Sequence, residues 1–223
     1  MVRNKLGFTL VEVAIVLVII ALLLGGVLKG QELITSARIR NIANDLNAVA
    51  AAIYAYQERF MALPGDDGGA SGRWGAAVPD GDRGGSLSGE FCADPGGGFE
   101  TVYVWRHLRL AGLLSGDASQ TEQPHNASGG IIGVQSATGA SSAPELPGLV
   151  LCASNLTGKI AAALDAQFDD GKPQTGTARA YSQQRKLLGR ACKGNVTRSA
   201  AVANNIGYNA ADDGELYTLC KSI

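Results

Sequence analysis

The chain has few of the residues that do chemistry. Of its 223 residues two are histidine and two tryptophan, and charged side chains make up only 17%. His107 and His125 stand in no H-E-x-x-H setting, and no serine sits in G-x-S-x-G, so the common zinc-protease and serine-hydrolase arrangements are excluded. Both read as ordinary core or surface residues. None of the four cysteines forms a C-x-x-C pair, which removes zinc-ribbon and thioredoxin-like spacings. No nucleophile is accompanied by a base, so enzymatic activity is not expected. Net charge is −1 with a pI near 6.1, giving no general attraction to nucleic acid or anionic lipid. Aromatics are sparse at 6%, whereas glycine reaches 30 residues, well above a usual share of about 7%. That balance describes a loop-rich body, and the length suits one ordinary domain plus an anchor.

What the chain does have is an apolar run. From Phe8 to Leu28 it reads FTLVEVAIVLVIIALLLGGVL, about the 20 residues a helix needs to cross a hydrocarbon core. Arg3 and Lys5 precede it, and the positive-inside rule places that end in the cytoplasm and everything after Lys29 outside. An ordinary secretory signal is cut after its apolar region, yet Leu24-Gly25-Gly26 leads on into a helical pattern. The small residue placed for cleavage is Gly7, ahead of the run. Glu12 is the anomaly, because a carboxylate near the start of a lipid-facing helix costs a few kcal/mol unless neutralised or paired. A free α-amine at Phe8, made by cleavage after Gly7 on this subunit or a neighbour, would lie about one helical turn away. The plainer reading is a glutamate snorkelling to the interface.

Gly7-Phe8-Thr9-Leu10-Val11-Glu12, behind a short basic leader and ahead of an apolar run, resembles the class III signal of type IV prepilins and pseudopilins. The resemblance implies cleavage between Gly7 and Phe8 by a prepilin peptidase, N-methylation of Phe8, and use of Glu12 to register an incoming subunit. It further implies residence in the inner membrane by a single pass, with other pilin subunits and an inner-membrane assembly platform as partners, before export into a filament. The implied function is structural. Pilins of thick pili often carry a proline a few turns past the acidic residue, but here Gly25-Gly26-Val27-Leu28-Lys29-Gly30 contains none, which favours a minor pilin or pseudopilin. Alternative readings are a type II secretion pseudopilin, or an adhesion or DNA-binding module displayed on such a filament.

Beyond Gly30 an apolar seam continues through Ile39, Ile42, Leu46, Val49, Ile53, Tyr56 and Phe60 at alternating spacings of three and four. One helical face is therefore apolar and the other polar. Pro64 and Gly65 stop the pattern after Met61. The expected organisation is a leader at residues 1–7, a transmembrane half-helix at 8–28, an amphipathic half at 29–61 and a head at 62–223. Within the head, residues 65–98 hold twelve glycines and read as a long irregular connection. Phe99 to Leu114 reads mostly as helix, ending near Gly112 or Gly116. Ser154 or Asn155 is expected to cap a helix running to Phe168. Strands are expected at Ile131 to Gln135, Leu149 to Cys152, Thr177 to Tyr181, Asn205 to Asn209 and Leu216 to Cys220. The fold class is α+β, pilin-like, with a long N-terminal helix packed on a small antiparallel sheet.

Three features of the head carry further expectations. Cys92, Cys152, Cys192 and Cys220 all follow the anchor, so disulfides are expected outside the cytoplasm, with three pairings open. Cys92 with Cys152 and Cys192 with Cys220 is favoured, because the second bond would staple the C-terminal tail. Asp-Asp-Gly occurs three times, and paired aspartates on turns are raw material for calcium, which takes six to eight oxygen ligands. Asp165, Asp169 and Asp170 are the preferred candidates, although Asp and Gly are also ordinary turn formers. Finally, Gly171 to Ala211 contains seven basic residues and no acidic one. Arg185, Lys186 and Arg190 at its centre suit nucleic acid, a partner's acidic surface, or plain solvent exposure.

Overall fold

The computed structural model describes residues 9–137, 146–183, 208 and 215–223. Helix α1 covers Leu10–Phe60 and enters two compact units, Met1–Arg38 and Ile39–Ile223. In the first unit the helix is apolar on all sides from Leu10 to Leu28 apart from Glu12, and beyond that stretch Lys29 pairs with Glu32 at 2.7 Å. An 18-residue window has a mean hydropathy of 2.9 with none of it buried, and α1 is the one helix among the described residues long and apolar enough to cross a membrane. Leu, Ala, Ile and Val supply the helix and its lipid-compatible surface together. The helix continues unbroken through Gly25, Gly26 and Gly30, where an added Cβ would meet nothing within 4 Å among the described residues.

In the second unit α1 becomes one-sided. Ile42, Leu46, Val49, Ile53 and Tyr56 are buried, and Ile39 and Phe60 flank them, which is the seam expected from the spacing. The partners are helices α2 (Ala70–Trp74), α3 (Glu100–Leu110) and α4 (Gly158–Phe168) with strands β1 (Ile132–Ser136), β2 (Leu149–Thr157), β3 (Ala178–Gln183) and β4 (Leu216–Ser222). The strands form one antiparallel sheet in the order β1-β2-β4-β3. Trp105 and Leu108 of α3, Leu151 and Leu156 of β2, Leu164 of α4 and Tyr217 and Leu219 of β4 join the α1 seam in one core. Burying each such side chain contributes about 1.5–3 kcal/mol. The fold is the pilin-like α+β arrangement.

Several boundaries differ from expectation for identifiable reasons. Strand β2 runs on to Thr157, so neither Ser154 nor Asn155 caps α4; Thr157 precedes its first residue without a side-chain capping bond. Its pairing with β4 shifts register between Ala153 and Leu156, and Asn155 there has φ of 62°, a value asparagine tolerates better than most residues. This bulge keeps the strand paired through the irregularity. Ser154 instead accepts the Ile131 amide at 3.0 Å. Helix α3 ends at Leu110, short of the expected Leu114, and Gly112, one of the two glycines expected near its end, has φ of 73°. Leu113 N bonds Leu108 O at 2.9 Å and Gly112 N bonds Arg109 O at 3.0 Å, the two bonds of a Schellman stop. The glycine-rich connection is irregular apart from the short α2, and at Gly81 a Cβ would lie 2.3 Å from the Asp66 backbone. Asn205 to Asn209, apart from Tyr208, lies outside the described residues.

The favoured disulfide pairing is overturned. Cys152 is bonded to Cys220, because β2 and β4 are direct neighbours and their register sets these two residues opposite each other. Cys92 is disulfide-bonded as well, and Cys192 lies outside the described residues. The Cys152–Cys220 bond spans 68 positions and closes two central strands across a buried site. Replacing both cysteines by alanine is expected to cost about 2–5 kcal/mol, read as a lowered denaturation midpoint of the full chain in detergent. A midpoint equal to that of the unmodified chain would show that the sheet holds without this bond.

Candidate functional site

Gly7 and Phe8 lie outside the described residues, and the described part of the site begins at Thr9. Thr9 directly precedes α1, and its carbonyl accepts the Val13 amide at 3.3 Å. Glu12 stands three residues on. Its Oε2 accepts the Thr9 amide at 2.9 Å and the Thr9 hydroxyl at 2.8 Å, while the Glu12 amide donates to Thr9 Oγ1 at 3.3 Å. This is a capping box, which satisfies helix-end donors reciprocally. A carboxylate at a helix N-terminus is also favoured by the helix dipole. Thr9 was missed as a functional residue, although T-x-x-E ahead of an apolar run is a legible signature of that box. Around Glu12 the side chains are apolar and exposed, with Leu10 86% and Val11 65% accessible.

Residues 2–28 match the family described as the prokaryotic N-terminal methylation motif. The chain carries a prepilin-type signal. No curated protein and no solved structure matches the chain. The signal implies a prepilin-like protein that prepilin peptidase processes, anchored in a membrane by its apolar helix. It spans the basic leader, the Gly7-Phe8 junction, the capping box and the apolar run, so the single charge in that run belongs to the matched segment.

Three polar constellations stand out among the described residues of the head. In the first, Asp66 accepts the Gly84 and Gly85 amides at 2.9 and 2.8 Å, and Glu100 accepts those of Asp82 and Ser88 at 2.9 and 2.8 Å. These carboxylates, with Asp82, approach closely enough to share an ion, but Asp66 and Glu100 already fasten the glycine-rich segment to α3. In the second, buried Asp67 accepts the Tyr56 hydroxyl at 2.6 Å and the Gly69 amide at 2.9 Å and pairs with Arg73. Phe60 and Trp74 lie under the Arg73 guanidinium. His107 sits beside this group, fully buried. It accepts the Gly65 amide on Nδ1 at 3.0 Å and meets Pro79 O at 2.9 Å through Nε2, which requires the neutral ring with its proton on Nε2. The third groups Asp165, Asp169 and Asp170. Arg185, Lys186 and Arg190 lie outside the described residues.

Burial pushes the His107 pKa below its ordinary value of 6.5. The unfolded chain therefore takes up a proton near 6.5 that the folded chain refuses until lower pH, so stability falls as pH drops through that window. Asp66 and Asp165, whose carboxyls burial pushes up, act in the opposite sense at more acid pH. Melting temperatures of the full chain at about pH 7.5 and about pH 5.5 are expected to differ, and His107→Gln should flatten the difference. An unchanged pH slope in the variant would remove His107 as its source.

Proposed function

We propose that this chain is a non-catalytic filament subunit: a prepilin cut after Gly7, methylated on Phe8, held in the inner membrane by α1 and then drawn into a type IV pilus or related filament. The observation that carries this reading is the position of Glu12. It is the one charge in an otherwise apolar, fully exposed helical surface, four residues beyond the processing junction of a matched methylation signal. In the isolated chain its carboxylate is occupied by Thr9. In a filament, the ammonium of a processed Phe8 on a neighbour is the stronger partner, because opposite charges attract far more in hydrocarbon than in water. Exchange of a cap for an ion pair then sets the axial register, and packing of α1 among other such helices replaces its lipid contacts. Prepilin peptidase, other pilin subunits and an inner-membrane platform are the partners this route requires. Lacking proline in its first half, α1 suits a minor pilin or pseudopilin.

The test separates processing from assembly. Glu12→Val should still be cut, shown by a shift in gel mobility, but should be depleted at least tenfold from sheared filaments. Gly7→Trp should leave uncut precursor in the membrane fraction. Filaments containing the Glu12 variant at parental levels would refute the register role, and normal cutting of the Gly7 variant would refute the junction.

A further inference from the structure

Where α1 gives way to the glycine-rich connection, the second unit holds an open cavity of about 590 Å³, the size of a small-ligand pocket. The assembly role does not use it. Its apolar lining is the consecutive run from Phe60 to Leu63, and its polar side chains are Gln57, Asp66, Asp67, Arg73 and Arg83.

The backbone is strained at this place. Of the three non-glycine residues with a left-handed backbone among the described residues, two line the cavity, Met61 with φ of 51° and Arg83 with φ of 62°. Long side chains enter that region at a cost, which proteins tend to concentrate at binding sites. Met61 is also 89% exposed. Arg83 lies close against Gly68, where a Cβ would stand 2.5 Å from its Nε, and a Cβ on Gly69 would lie 3.0 Å from Arg73 Nη1 and 3.7 Å from Arg83 Nη2. The two guanidiniums therefore flank one point.

The unused hydrogen-bonding capacity around that point is donor capacity. Asp66 has one oxygen on the Gly84 amide and the other on that of Gly85, and Asp67 is occupied by Tyr56, Gly69 and Arg73. Arg73 engages Asp67 and Tyr56 through Nη2 alone. Arg83 donates from Nη2 to Gly68 O at 2.9 Å and pairs with no carboxylate among the described residues. A guanidinium carries five N–H donors in a fork that matches a planar carboxylate. The two aspartates repel a dianion more than a monoanion, which favours a carboxylate over a phosphate. In a carboxyl-terminal residue the carboxylate and the side chain leave the same Cα, so one residue presents an anion to the arginines and an apolar group to the Phe60–Leu63 run.

We propose that this cavity binds the free carboxyl terminus of a peptide ending in an apolar residue, with Arg83 and Arg73 holding the carboxylate and the run from Phe60 to Leu63 holding the side chain. The Gln57 carboxamide suits the preceding peptide group. The site lies within the second unit and stands independently of the filament reading.

The full chain, purified in detergent, is titrated by calorimetry with the peptide N-acetyl-Ala-Ala-Leu as its free acid and again as its C-terminal amide. The acid is expected to saturate at millimolar concentration or below, and the amide to bind at least tenfold more weakly, because charge-assisted hydrogen bonds are lost. Arg83→Gln, at an exposed position, should weaken the acid at least tenfold at an unchanged melting temperature. Gly68→Ala, which displaces the Arg83 guanidinium and keeps its charge, should weaken it as well. Arg40→Gln, exposed on α1 outside the cavity, should bind as the parent does. Equal binding of acid and amide, no saturation at millimolar peptide, or parental binding by Arg83→Gln would overturn the site. So would an equal loss in Arg40→Gln, or displacement of the peptide by an equal concentration of inorganic phosphate.

Discussion

The main core of the second unit is built over one stripe of α1. Ile42, Leu46, Val49, Ile53 and Tyr56 meet Trp105 and Leu108 from α3 and the inward side chains of β2 and β4, and among the described residues no other cluster gathers so many large apolar groups. Each contributes about 1.5–3 kcal/mol by burial, so the loss of two would remove a large share of the about 5–15 kcal/mol that holds an ordinary domain folded. Around this stripe the polar fixings take their places. Tyr56 belongs to the stripe through its ring and to the Asp67–Arg73 group through its hydroxyl. Gly65, just beyond the end of α1, is held by His107 of α3. The end of the helix is thus defined twice, by Pro64 in the sequence and by these side chains in space.

The same helix has a different task from Leu10 to Leu28. Its side chains there are apolar on every side and exposed, so its stability in lipid comes from backbone bonds made within the helix. Only Glu12 interrupts the surface, and Thr9 answers it at once. A carboxylate held by neutral donors keeps its charge uncompensated. That leaves the residue able to exchange its cap for a cation when one arrives, which is the physical content of a register role for a lone membrane acid.

Legibility in the sequence followed the range of the interactions. The α1 seam and the stop of α3 near Gly112 rest on contacts within a few residues, and spacing and turn chemistry reveal such contacts. Strands β1 and β4 were found close to their positions for the same reason. The Cys152–Cys220 bond depends instead on which strands are neighbours, and the order β1-β2-β4-β3 is a long-range fact that no local pattern states. The extension of β2 past Ser154 depends on a bulge opposite β4, and propensity at Ser154-Asn155 argued for a helix cap because it had no view of that partner. Asp66 and Asp67 read as part of an Asp-Asp-Gly turn, and Glu100 has no assigned role in the sequence. Their burial is set by amides that lie 12 to 19 positions away for Glu100 and Asp66, or by Tyr56 for Asp67. At the N-terminus the prepilin-type signal was readable because it is itself a local chemical pattern.

The central claim is that processing exposes an amine at Phe8 for Glu12 to use. Intact-mass analysis of the polypeptide isolated from its native membrane tests it most directly. The account requires a chain beginning at Phe8, heavier by one methyl group, and lighter by the hydrogens lost in its disulfides. A chain that still begins at Met1, or one cut beyond the apolar run, would contradict it.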